Sequence, residues 1–184
     1  MSVFEKLETF AYRNIVVPLQ GSTTFDFVNE HYNKGMKVLD FGCGTGSNSK
    51  LFHSDLFENY PINRLKKIDV IVCNPPYIPT CNYLSLNNET LYDPRISLDG
   101  GELGLDYYIK IIDYLINVKF KGSLYFEIDP IISENMYKYL LEKGIKIVYK
   151  KVDYLSLDRL IKITLPNINS VSYTHLTLPT SDLV

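Results

Sequence analysis

The stretch Val38-Leu39-Asp40-Phe41-Gly42-Cys43-Gly44-Thr45-Gly46 decides the fold. Met36 to Phe41 reads as a short buried strand, and three glycines follow within five residues. Glycine lets a backbone turn tightly and lets a ligand approach without a Cβ in the way. Ser47 to Phe52 is expected to open a helix, whose first N–H groups and positive dipole end would face the turn. Strand, glycine-rich turn and helix together open an α/β unit with a largely parallel sheet.

A second strand, Lys67 to Cys73, carries the buried run Ile68-Asp69-Val70-Ile71-Val72-Cys73. It runs into Asn74-Pro75-Pro76-Tyr77. Two prolines stiffen the chain and remove two N–H donors, which leaves a site rich in acceptors. Such a site suits a planar –NH2 group. The Asn74 side-chain oxygen can accept one N–H, the Pro75 carbonyl the other, and Tyr77 can stack on the plane. Held this way, a nitrogen would take up a group by direct transfer that needs positioning and polarisation and no protein nucleophile.

Working outward, Phe4 to Tyr12 reads as a short helix, Ile15-Val16-Val17-Pro18 as a short strand and Thr24 to Tyr32 as a helix stopped by Gly35. Ile78 to Gly104 is a long loop, expected to carry function. Leu105 to Val118 has apolar residues at helical period: Leu105, Tyr108, Ile109, Ile112, Leu115 and Ile116. Gly122 to Ile128 is a strand, and Pro130 to Lys143 is a helix with Gly144 as its stop. Ile145 to Tyr149 and Leu160 to Leu165 are predicted to close the chain as an antiparallel hairpin.

The bulk numbers exclude several classes. The chain has 184 residues, 46% of them hydrophobic and 22% charged, and a net charge of −2. That is one domain's length with an ordinary core, lacking the basic excess of a generic nucleic-acid binder. Cys43, Cys73 and Cys81 match no zinc or redox spacing, and His31, His53 and His175 are scattered, so no metal site is expected. No apolar run approaches the roughly 20 residues that span a bilayer. A signal-peptide pattern is also lacking. A cytoplasmic or organellar location is expected.

The G-x-G-x-G turn with an acid two residues ahead resembles the first motif of class I S-adenosylmethionine-dependent methyltransferases. That resemblance puts Asp40, Gly42, Cys43, Gly44, Thr45 and Gly46 around the cofactor. The NPPY segment is shared with adenine-N6 DNA and RNA methyltransferases, whose target is also a planar amine. The downstream run Asp93-Pro94-Arg95 to Asp99-Gly100-Gly101-Glu102-Leu103-Gly104-Leu105-Asp106 resembles the loop of the HemK/PrmC family. That family methylates the glutamine N5 of the GGQ motif in peptide chain release factors, and so acts in translation termination. Phe126-Glu127-Ile128 and the ending Asp153 to Arg159 are similar to the same family, with Asp129 where it has glycine. Arg95 is open to two roles, pairing with a neighbouring acid or touching substrate. Glu127 reads as a structural carboxylate.

The resemblance implies a Rossmann-like sheet, S-adenosylmethionine as cofactor, a release factor as substrate, and no nucleic-acid or membrane partner. It makes Asn74, Pro75, Pro76 and Tyr77 the catalytic set, and adds Asp55, Leu56 and Asn74 to the cofactor contacts. One departure stands out: residues 47–73 leave only 27 positions between Gly46 and Asn74. By comparison with the family, two strands are lacking after the glycine-rich loop, with the break near residues 52/53. The first strand would then lie at an open edge, and the acid that binds the cofactor ribose would be missing. Residues 1–35 are expected to form a short N-terminal segment in place of a substrate-binding domain, which leaves room for a partner subunit. Residues 36–166 are the expected catalytic unit. Residues 171–184 include Val171 to Thr180, which resembles a translated sequencing adapter and stands outside the fold. An adenine-N6 nucleic-acid methyltransferase and an inactive remnant are the rival readings.

Overall fold

The computed structural model describes residues 7–11, 37–41, 50–53, 55–87 and 92–166, with the backbone alone at 7–11, 40–41 and 50–53. Seven strands form one sheet: β1 (Leu7–Ala11), β2 (Val38–Phe41), β3 (Lys50–His53), β4 (Val70–Cys73), β5 (Ser123–Glu127), β6 (Lys146–Val152) and β7 (Asp158–Thr164). Their spatial order is β3-β1-β2-β4-β5-β7-β6. The first five positions are parallel, and β7 and β6 close the sheet antiparallel. The α/β class and the terminal hairpin are therefore as the sequence predicts.

The central strands are buried on both faces, as a parallel sheet requires. All four residues of β4 are buried. Alternation sorts them: Leu39, Ile71, Cys73, Leu124 and Phe126 join the larger core, while Val38, Val70, Val72 and Tyr125 join a smaller one on the other face. The long helices cover the larger core. α3 (Asp106–Asn117) buries Tyr108, Ile111, Ile112 and Leu115, one stripe at helical spacing. The predicted stripe included Ile109 and Ile116, which are only partly buried, and missed Ile111. α4 (Pro130–Glu142) starts as predicted: Asp129 Oδ1 accepts the Ile131 N–H at 2.9 Å, and Pro130 occupies the first turn. Gly144, at φ +65°, ends that segment. Two short helices, α1 (Ile62–Leu65) and α2 (Thr80–Tyr83), complete the α-helices among the described residues.

Two expectations fail at the other side of the sheet. Leu7–Ala11 lies within the helix predicted for Phe4 to Tyr12, yet it is a strand. Lys50–His53 overlaps the helix predicted from Ser47 to Phe52, and it too is a strand. The reason is the open edge of β2. Unpaired N–H and C=O groups there accept a parallel neighbour, and segments of four or five residues have too little helix propensity to resist. β2 is consequently not at the edge. β1 pairs with it from Leu7↔Val38 to Phe10↔Phe41, and β3 lies beyond β1. β1 comes from the 1–35 segment that the sequence sets apart from the catalytic unit. The strand predicted at Ile15-Val16-Val17 and the helix at Thr24 to Tyr32 lie outside the described residues.

α3 is tied to β5 by one buried polar contact. The Tyr108 hydroxyl, fully enclosed, donates to the Glu127 carbonyl at 2.7 Å. Burial pushes this phenol well above its ordinary value of 10.0, so it remains a donor. Tyr108→Phe removes the bond and should cost about 1–2 kcal/mol in urea unfolding.

Candidate active site

The register of the parallel strands assembles the site. Phe41 pairs with Cys73, and Cys73 with Phe126. The chain thus leaves β2, β4 and β5 at one level on one edge. In an open α/β sheet, the crevice outside the strands' carboxyl ends is where ligands bind. Asn74 to Tyr77 leave β4 there, and the residue after Phe41 begins the glycine-rich turn. Gly42, Cys43, Gly44, Thr45 and Gly46 themselves lie outside the described residues, and Asp40 is placed by its backbone alone.

Pro75 and Pro76 are buried, and Asn74 is half-buried. The Asn74 Oδ1 is enclosed and has no hydrogen-bond partner among the described residues. A buried acceptor left unpaired costs about 1–3 kcal/mol. Its natural complement is an N–H from outside the chain. Tyr77 is half-buried beneath this edge. Burial raises its phenol above the ordinary 10.0, and the nearby carboxylates of Asp129 and Glu127 raise it further against the pull of Arg159. The ring therefore stays neutral and suits contact with an uncharged plane.

The two ends of the loop, residues 78–80 and 98–104, are clamped together beside the segment. Ile78 N–H donates to the Leu98 carbonyl at 3.0 Å, and Gly100 N–H to the Ile78 carbonyl at 2.8 Å. Thr80 N–H donates to the Gly101 carbonyl at 2.9 Å. Two glycines make this close approach possible. A Cβ on Gly100 would sit 2.6 Å from the Pro76 carbonyl oxygen, and one on Gly104 2.2 Å from that of Tyr77. Gly104 also has φ +73°, which disfavours any side chain. The glycines of this run thus read as turn chemistry and, in addition, as the contact surface for the Pro76–Tyr77 backbone.

Asp99 holds the loop shut. Its Oδ1 accepts the Thr80 hydroxyl at 2.7 Å and the Gly101 N–H at 3.1 Å. Its Oδ2 accepts Arg95 Nε and Nη2 at 2.9 and 2.8 Å. Of its two open roles, Arg95 has the pairing one. Burial pushes the Asp99 carboxyl up, and the bonds from Thr80, Arg95 and Gly101 outweigh it, so the net shift is downward.

A second polar cluster joins the hairpin to this edge. Arg159 donates from Nε to Asp153 at 2.8 Å and from Nη1 to Asp129 at 3.0 Å. Asp129, where the family resemblance calls for glycine, thus caps α4 and pairs with Arg159. The sequence shows both residues but not their union, because 30 positions separate them. Asp55 is exposed and Leu56 packs on the larger core at φ +46°. Asp55 lies close enough to Tyr107 of α3 that, after burial, its charge is the next cause raising that phenol. Among the described residues no group of His, Cys, Asp and Glu could hold a metal. No described helix is long and apolar enough to cross a membrane.

Two measurements check this geometry. Gly104→Ala should cost about 2–4 kcal/mol in urea unfolding, from left-handed strain and overpacking together. Gly144→Ala, also at positive φ but with nothing within 4 Å of its Cβ, should cost only the strain, about 1–2 kcal/mol. The depressed Asp99 carboxyl supports the loop fully above its ordinary value of 3.8, and that support fades as pH falls through the lower folded value. Amide exchange at Gly101, corrected for its intrinsic rate, should quicken over that acid range. In Asp99→Asn it should lose this pH dependence.

No family model matches the chain. The release factor glutamine methyltransferase of Clostridium acetobutylicum is 28% identical over 177 residues, covering 87% of this chain and 62% of that protein. The protein of the same name from Geobacter sulfurreducens is 46% identical over 68 residues, 36% of this chain and 23% of that one. A bifunctional methyltransferase of Rickettsia typhi is 34% identical over 122 residues, 65% of this chain and 23% of its own. A solved protein-(glutamine-N5) methyltransferase from Alicyclobacillus acidocaldarius aligns over 91% of this chain and 83% of its own, with a TM-score of 0.37 and 15% identity. The chain spans under two thirds of the length of the Clostridium, Geobacter and Rickettsia relatives. The chain is thus similar over most of its length to one release factor glutamine methyltransferase and over shorter stretches to others.

Proposed function

We propose that this chain carries the catalytic core of an S-adenosylmethionine-dependent methyltransferase acting on the glutamine side-chain amide of the GGQ motif in a release factor. The observation that carries the reading is the enclosed, unpartnered Asn74 Oδ1 at the carboxyl edge of β4, beside the end of β2. An amide –NH2 is the group that answers it. Asn74 Oδ1 accepts one N–H. The Pro75 carbonyl, to which no described backbone N–H donates, accepts the other. The Pro76 and Tyr77 backbone is held from behind by Gly100 and Gly104, so these acceptors keep their places. Tyr77 gives the planar amide a neutral surface.

The cofactor fits the donor set in part. Asp40 and the turn from Gly42 to Gly46 would hold its methionine portion, with Asp55 and Leu56 bordering the adenine and Asn74 a further contact. When bound, S-adenosylmethionine supplies an electrophilic methyl on a sulfonium. The chain's own contribution is orientation: two accepted N–H bonds fix the amide plane and draw electron density onto its nitrogen. The neighbouring strand departs from a dinucleotide-type arrangement, in which an acid beyond the glycine turn meets the ribose. Here β1 fills that place and ends at Ala11, a residue type with no carboxylate. Weak cofactor binding follows from this reading.

Incubation with methyl-labelled cofactor and a release factor tests it. Label should enter the GGQ glutamine, and Asn74→Ala should lower the rate by at least about 100-fold, as expected for loss of a positioned polar contact. Equal transfer by Asn74→Ala, or label appearing in DNA or RNA instead, would contradict it.

A further inference from the structure

At the opposite, amino edge of the sheet lies an open cleft of about 680 Å³ that the methyltransferase reading does not use. Three lysines line it. Lys66 follows α1, while Lys119 and Lys121 sit in the connection from α3 to β5. All three are exposed, and none has a carboxylate partner among the described residues. Ile68 and Phe120 supply an apolar floor. Opposing charge is small. Asp69 lines the same cleft, but its Oδ2 accepts the Lys37 N–H at 2.8 Å and its carbonyl accepts the Ser123 N–H at 2.9 Å. The carboxyl end of α3 adds about half a negative charge, with its last carbonyls already capped by Val118, Lys119 and Phe120 N–H groups. Three ammonium groups against one carboxylate and one helix end leave the cleft roughly +1.5, on a chain whose net charge is −2.

Lys119 makes this more than a solvated surface. It stands one residue past the α3 cap with φ +57°, the position and conformation that glycine favours. A lysine held there against its backbone preference is a strained residue, and such strain concentrates at functional positions. The volume is that of a small-molecule site, and the lining offers a limited apolar wall beneath several charges.

We propose that this cleft binds a phosphate-bearing ligand, in which Lys66, Lys119 and Lys121 neutralise the phosphate oxygens and the floor of Ile68 and Phe120 takes any attached organic group. Binding is independent of methyl transfer, so it stands or falls separately from the carboxyl-edge site.

Nuclear magnetic resonance titration of the full chain with inorganic tripolyphosphate, and separately with ATP, tests the proposal. Saturable shifts confined to the amides around Lys66 and from Lys119 to Ser123 are expected, weakening steeply as salt rises. Equal affinity for the two probes assigns the site to phosphate alone, and tighter ATP binding assigns the floor a part as well. Lys119→Gly relieves the strained backbone, so this variant should be at least as stable as the parent while binding at least tenfold more weakly. Lys121→Gln should weaken binding similarly. Shifts spread evenly over surface lysines, no saturation at millimolar probe, or parent-like binding by Lys119→Gly would overturn the proposal.

Discussion

Parallel pairing of β2 with β4, from Val38↔Val70 to Phe41↔Cys73, ends both strands at one level, and the whole carboxyl edge follows from it. A slip of one residue would turn each side chain to the other face and separate the two cores. In register, Leu39, Ile71 and Cys73 point to the helical side, and Val38, Val70 and Val72 point away. The glycine-rich turn and the Asn74–Tyr77 segment then begin on adjacent strands. Burial of these apolar rows is what holds the register, since the four residues of β4 are all enclosed.

A site that leaves an acceptor unsatisfied needs support from elsewhere. Here it comes from the loop that folds back over Pro76 and Tyr77. Backbone bonds at Ile78, Thr80 and Gly100, together with the Asp99 hub, fix the loop to the segment, and the two glycines let it come close enough to do so. Arg159 ties the hairpin and the start of α4 to the same edge through Asp153 and Asp129. The cost of an enclosed Asn74 oxygen is thereby offset by its surround, and an N–H bound there would recover it.

Much of this was legible in the residues. α3, α4, β4 and β5 carry long periodic or wholly apolar patterns with clear stops, such as Asp129-Pro130 at one end of α4 and Gly144 past the other. The Asn74–Tyr77 segment announces its acceptors through its prolines. β1 and β3 were misread because four or five residues hold too little periodicity to outvote a vacant sheet edge. The polar network eluded the sequence for a different reason. Arg159 and Asp129 are 30 positions apart, Tyr108 and Glu127 19, and only the fold unites them. The left-handed conformation of Lys119 was hidden as well, since nothing in a helix pattern marks that position beyond its end.

The central claim is that Asn74 Oδ1 waits for an amide N–H, and one measurement addresses it directly. A GGQ peptide carrying a 15N-labelled glutamine side chain, added to the chain in the presence of S-adenosylhomocysteine, can be followed by isotope-edited nuclear magnetic resonance. The account predicts that both side-chain amide protons shift downfield on binding, show contacts to the Tyr77 ring, and lose the shift of one proton in Asn74→Ala. Side-chain amide protons that stay at their free positions while the peptide's backbone binds would contradict it.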